Sequence, residues 1–238
     1  MTFFDWRGLG LSTQLIYSMF QDVLFPASEQ GAGDDGSDVL QLRRLKRYVP
    51  LPETPVRSGS VVVFDLETTG LDSKADRIIE IGAIRLNGFN EVTQFSSLVT
   101  TDIELTDDII KLTGITPDML KGQPPIAAVI PEFLSFIEGS ILVAHNAEFD
   151  MSMLKAACSR LGIDLEWPCF CTLKMARTFL AELENKKLDT LAAHYGLKFE
   201  SRHRAIGDIK VTVGVLAGML QQDATQLTNW SHFQPYTV

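Results

Sequence analysis

The segment VVVFDLETTG, Val61 to Gly70, constrains the fold more than any other stretch of this chain. Val61, Val62, Val63 and Phe64 form a continuous β-branched and aromatic run, the pattern of a strand covered on both faces. Asp65 and Glu67 follow two positions apart, and the two-residue period of a strand points both carboxylates to the same side. Like charges that close repel. A divalent cation with a preference for hard oxygen ligands, Mg²⁺ or Mn²⁺, would neutralise them. An acidic, solvated turn through Thr68, Thr69, Gly70 and Leu71 would look the same in sequence.

At 238 residues, with 45% hydrophobic and 21% charged residues, the chain is expected to form one substantial soluble domain with a small appendage. No apolar run approaches the roughly 20 residues of a membrane span. The amino terminus lacks the basic region and small-residue cleavage site of a secretory signal. A cytoplasmic protein with no membrane contact is the expectation. Cys158, Cys169 and Cys171 form neither a C-x-x-C motif nor a disulfide framework, so buried free thiols are expected. A formal net charge of -9 argues against an extended basic surface for gripping nucleic acid. Bound metal ions can still turn an acidic pocket into a phosphate site.

The first sixty residues differ from the rest. Leu11, Leu15, Ile16, Met19, Phe20, Val23 and Leu24 recur at helical spacing, predicting an amphipathic helix over 12–25 ended by Pro26. A Gly, Ser and Asp-rich linker over 28–38 follows, then a basic segment over 39–49 and an extended connector with Pro50, Pro52 and Pro55. An apolar stripe of this size needs a cover. Residues 1–57 therefore read as an N-terminal helical extension that docks on its own domain, on a second copy or on a protein partner.

After the first strand, RIIEIGAIRLNG and FNEVTQFSSLVT read as two strands joined by a tight Asn87-Gly88 turn. Thr106 caps a short helix ending at Gly114, and Thr116-Pro117 starts another. A helical pattern over 126–137 is expected to kink or restart at Pro131. Ile141 to Ala144 form a fourth strand, followed by a helix from Ala147 to Leu161 ended by Gly162. A short strand over 168–171 and helices from Thr172, over 188–195 and over 205–222 complete an α/β domain with a mixed sheet.

Asp150 lies near the start of the helix after the fourth strand, and Asp208 in the first turns of the last helix. Each alone suits the helix dipole. With Asp65 and Glu67 they make four carboxylates, the number and type that hold two Mg²⁺ ions about 3.5 to 4 Å apart for in-line phosphoryl displacement. His203, between Arg202 and Arg204, is placed to take a proton from an attacking water. His194 follows a helical pattern and reads as structural.

The blocks VVVFDLETTG, LVAHNAEFD and HRAIGD, in this order, resemble the three exonuclease motifs of the DEDDh (DnaQ-like) 3′-to-5′ exonucleases. That family includes the proofreading epsilon subunit of bacterial DNA polymerase III. The similarity covers about residues 60–222, with supporting patches DRIIEIGAI, LTGITPDML, FCTLKMAR and KLDTLAAHYG. It implies a ribonuclease H-like fold with a mixed five-stranded sheet flanked by helices, over a domain of residues 58–222. By match, Asp65, Glu67, Asp150 and Asp208 would ligate two divalent ions, Mg²⁺ or Mn²⁺, and His203 would be the general base. His145 and Asn146, and the backbone around Thr68 and Thr69, would lie beside the terminal nucleotides. The extra residues in front and the short tail, 223–238, depart from the proofreading subunit.

The function this implies is hydrolysis at single-stranded DNA 3′ ends, releasing nucleoside monophosphates in proofreading or repair. RNA is the alternative substrate, since RNA-trimming relatives share the carboxylates and the histidine. A non-catalytic nucleic-acid-binding module is the third reading, and all five filled polar positions argue against it.

Overall fold

The computed structural model describes residues 60–87, 91–222 and 230–238. The expected helix over 12–25, the linker, the basic segment and Gly88 lie outside them.

Strand β1 (Ser60–Thr68) is the centre of a five-stranded sheet with β2 (Ile78–Asn87), β3 (Glu91–Leu98), β4 (Ile141–Ala144) and β5 (Cys169–Cys171), in the order β3-β2-β1-β4-β5. The β1–β2 and β2–β3 pairs are antiparallel, and the β1–β4 and β4–β5 pairs are parallel. The sheet is therefore mixed, as the resemblance implies. Val61, Val62, Val63 and Phe64 are no more than 2% exposed, because layers cover both faces. Asp65 and Glu67 are strand residues, as their two-residue spacing requires, paired with Gly82 and Glu80, and the register shifts only between Glu67 and Thr68. At the hairpin Asn87 pairs with Glu91, so Asn87 belongs to the strand.

The helices are α1 (Asp107–Thr113), α2 (Pro117–Leu120), α3 (Ile126–Ile137), α4 (Ala147–Arg160), α5 (Thr172–Phe179), α6 (Leu188–His194) and α7 (Ala205–Gln222). The expected caps hold: the Thr106 hydroxyl accepts from the Ile109 N–H, and Gly114 takes a left-handed φ of 69°. Pro131 does not divide α3. Its ring removes the donor for the Ala127 carbonyl, and Ala127 is exposed, so the loss does not leave a buried acceptor without a partner.

Alternation along β1 divides the core. Val61 and Val63 pack with Ile209 and Val213 of α7 and with α5 and α6. Val62, Phe64 and Leu66 pack with Phe133 of α3 and Leu154 of α4 on the other face. Residues 230–238 close the β5 edge: Phe233, 2% exposed, lies 5.2 Å ring to ring from Phe170, and Val238 exchanges backbone hydrogen bonds with Cys169. The three cysteines are buried free thiols. Among the described residues no helix is long and apolar enough to cross a membrane.

Candidate active site

The face of β1 that carries Val61 and Val63 continues through Asp65 and Glu67, which places both carboxylates under α7. Gly82 lies opposite Asp65 on β2, and a Cβ there would come 2.7 Å from the Ala205 Cβ, so the start of α7 rests directly on this strand. That contact brings Asp208, in the first turn of α7, over the sheet. One carboxylate oxygen each from Asp65, Glu67 and Asp208 lie within 4.8 Å of one another.

Asp150 arrives from the opposite layer. Pairing of β4 with β1 ends at Val63↔Val143, and where β1 outlasts its neighbour the Leu66 N–H donates to Asp150 Oδ1 at 3.2 Å. Asp150 is only 2% exposed and stands outside the close set of three. Burial is the largest influence on all four acids. With the charges of Asp150, Glu67 and Asp208 it raises Asp65 well above the usual carboxylate range. Burial, Asp208 and Glu80 raise Glu67 to about 8, and burial raises Asp150 to about 8. Burial raises Asp208 to about 6, against the opposing pull of Arg202 and the His203 N–H. Burial first, and for Asp65 and Glu67 the neighbouring acids as well, favour the protonated forms, and the charge of Arg202 only partly offsets them.

His203 has a left-handed φ of 58°, and its N–H donates to Asp208 Oδ1 at 3.2 Å. The turn is tight: a Cβ on Gly207 would meet the Ser201 carbonyl at 1.9 Å. Asn146, also left-handed at φ 63°, precedes α4. His145 Nδ1 lies 3.0 Å from Thr172 Oγ1, and burial lowers its pKa to about 4. Asp65, Asp208, His145, Asn146, Lys186 and Arg202 line one cavity of about 690 Å³. The side chains of Thr68 and Thr69 are held by the following loop. Their hydroxyls donate to the Gly70 carbonyl at 2.6 Å and to Asp76 Oδ1 at 2.8 Å.

Three ion pairs complete the site and were not singled out from sequence. Glu80, 3% exposed and opposite Glu67, accepts from Arg204 Nη2 at 2.8 Å, Arg204 Nε at 3.1 Å and the Ala205 N–H at 3.1 Å, so it anchors the start of α7. Arg202 pairs with both Asp189 and Asp208. The available signals were Glu80 and Gly82 inside the strand pattern IIEIG: a buried acid needs a partner and a strand glycine marks a close approach.

The RNase_T family model, described as an exonuclease family, matches residues 62–216. The DNA polymerase III PolC-type protein of Caldanaerobacter subterraneus subsp. tengcongensis is 43% identical over 164 residues, 69% of this chain but 12% of that protein. A putative bifunctional exonuclease/endonuclease protein of Mycobacterium tuberculosis is 36% identical over 190 residues, 75% of this chain and 29% of its own. The chain thus spans a small part of these curated relatives. The nuclease domain of 3′hExo, a DEDDh family member solved with rAMP, shares the fold with TM-score 0.64 at 20% identity, over 74% of this chain and 98% of that one. Exonuclease X with 5′ overhanging duplex DNA gives TM-score 0.59 at 24% identity, over 74% and 99%. The matched segment contains Asp65, Glu67, Asp150, His203 and Asp208, and more than half of the chain. On that match the chain belongs to the RNase T exonuclease family, as its resemblance to the DEDDh exonucleases implies.

Proposed function

We propose that this domain is a two-metal 3′-to-5′ exonuclease that hydrolyses the last phosphodiester of single-stranded DNA and releases nucleoside monophosphates, in cytoplasmic proofreading or repair. The observation that carries the reading is the set of three carboxylate oxygens, from Asp65, Glu67 and Asp208, within 4.8 Å of one another. An all-oxygen donor set suits Mg²⁺ or Mn²⁺, and acids whose pKa values are raised by burial and by one another fit a cation site. Asp65, Glu67 and Asp208 would hold the ions, with Asp150 completing the four. Bound ions supply Lewis-acid polarisation of the phosphoryl oxygens and a more acidic water.

The chain's own groups do the rest. His203 lies on the turn bonded to Asp208, and burial and Arg202 lower its pKa, so a neutral imidazole accepts the proton of the attacking water. His145 and Asn146 line the cavity beside Asp65 and position the terminal nucleotide. The cavity is of nucleotide size, and the net charge of -9 leaves frayed or single-stranded ends as the natural substrate. The polymerase names of the relatives favour DNA over RNA. Residues 1–57 would dock on a protein partner or a second copy, leaving the chemistry to 58–222.

The test is digestion of end-labelled single-stranded DNA, duplex DNA and RNA of matched sequence, with Mg²⁺, with Mn²⁺ and with EDTA. Mononucleotides released from the 3′ end of the single strand, with either metal and not in EDTA, are expected. No release with either metal, or cutting of a circular single strand, overturns the proposal. Faster digestion of RNA would reassign the substrate.

A further inference from the structure

Arg202 is a cation placed among acids whose protonation is otherwise the only relief from repulsion. Its Nε and Nη2 form a fork onto Asp189 Oδ1 and Oδ2 at 3.0 and 2.8 Å, and its guanidinium carbon lies 4.7 Å from the centroid of the Phe199 ring. The remaining Nη1 pairs with Asp208 Oδ2. Asp208 Oδ1 meanwhile accepts from the His203 N–H. Both oxygens of Asp208 are therefore engaged, and a divalent cation ligated by Oδ2 competes with Arg202 for it through charge repulsion.

Displacement does not release the arginine. The Asp189 fork and the Phe199 ring remain, so the guanidinium stays at the wall of the cavity it shares with Asp65, His145 and Asn146. Its freed edge then carries an unpaired donor in a partly buried place, and a phosphate oxygen is the acceptor that suits a planar guanidinium. We propose that Arg202 is an internal counter-ion. It holds Asp208 in the metal-free protein and transfers to the phosphate of the bound nucleotide when a divalent ion takes Asp208. The ion and the nucleotide then bind cooperatively, each strengthening the other by the same factor. This rests on the carboxylate cluster being the metal site.

The experiment is calorimetric titration of the full chain with Mn²⁺, alone and with saturating thymidine 5′-monophosphate, for wild type, Arg202→Gln, Arg202→Lys and Asp189→Asn, each checked by a cooperative melt. Without nucleotide, Arg202→Gln is expected to bind Mn²⁺ on the order of tenfold more tightly, the usual scale of one charge-assisted hydrogen bond. Nucleotide should then improve its Mn²⁺ affinity by a smaller factor than in wild type. Arg202→Lys keeps the charge but loses the fork, so its nucleotide-free affinity should stay near wild type while the coupling falls. Asp189→Asn, in which Arg202 is left to Asp208 alone, should bind Mn²⁺ no more tightly than wild type and also lose coupling. An Arg202 that only braces the site predicts the opposite sign. Weaker or unchanged Mn²⁺ binding by folded Arg202→Gln overturns the counter-ion role, and undiminished coupling in all three variants overturns the transfer. Wild type that binds no Mn²⁺ at all overturns the metal site itself, and this inference with it.

Discussion

Removing divalent metal should make the stability of this protein fall as pH rises from 6.5 to 8. Glu67 and Asp150 are raised to about 8 in the folded protein, from 4.5 and 3.8, with burial the first cause in each. Over this window the folded chain keeps protons that the unfolded chain has lost. Stability conferred by such groups is full below about pH 4 and is lost as pH rises through the folded value. His145 and His203 act in the opposite direction, since both are lowered from 6.5, but their unfolded forms are already half neutral at pH 6.5, so each offsets at most about 0.4 kcal/mol across the window. The acids thus dominate the window. At about 1.36 kcal/mol per pH unit, each retained proton costs about 2 kcal/mol across it. For a domain of this size that lowers Tm by about 4 to 8 °C. The assay is a series of melts in EDTA from pH 6.5 to 8, repeated in saturating Mn²⁺, where metal in place of protons should flatten the slope. Glu67→Gln should also flatten it in EDTA. A Tm that is level or rises with pH in EDTA, for wild type, would refute the reasoning.

Asp65→Ala, Glu67→Ala, Asp150→Ala and Asp208→Ala should each nearly abolish release of mononucleotides, because a two-ion site stabilises both attacking and leaving oxygens; near-normal turnover in any one removes that residue from the site. His203→Asn, which tolerates the φ of 58°, should cut turnover by about 10² to 10⁴ and leave Mn²⁺ titrations largely unchanged; an unaltered pH–rate profile would place the base elsewhere. Gly82→Val should destabilise by about 1 to 3 kcal/mol and weaken Mn²⁺ binding, since a Cβ 2.7 Å from Ala205 Cβ pushes Asp208 away from Asp65. Normal Mn²⁺ affinity in that variant would show that the α7 contact does not set the site. A chain beginning near Pro55 should fold and still cleave short oligonucleotides, with altered oligomeric state or partner binding; a folded but inactive product would assign residues 1–57 to the active site.

Elements defined by neighbours in the chain were legible in advance. The caps at Thr106 and Gly114, the apolar run of β4 and the span of α7 all rest on residues a few positions apart. Where the structure departs from sequence expectation, a partner distant in the chain decides. β1 takes in Thr68, which the sequence also fits to a turn, because β2 offers Ile78 as a pairing partner. α3 survives Pro131 because the orphaned carbonyl belongs to exposed Ala127. The seat of Phe233 on Phe170 joins residues with no common pattern.

The same distinction runs through the site. The acids were readable because strand period and helix starts are local rules, and Asp65, Glu67 and Asp208 obey them. Their counter-charges were not, since Glu80 and Arg204 are 124 residues apart and only the packing of α7 on β2 brings them together. That packing did leave a trace. Gly82 interrupts a run of large residues two positions after an acid that faces Glu67, and a strand with a glycine there has to admit another backbone. The element admitted must also supply Glu80 with donors, because a carboxylate 3% exposed is costly unless bonded. The HRA turn before α7 supplies them from Arg204 and from the Ala205 N–H, and it carries His203 and Asp208 on either side. Glu80 and Gly82 together therefore determine where the last helix lands, and so whether Asp208 reaches Asp65 and Glu67.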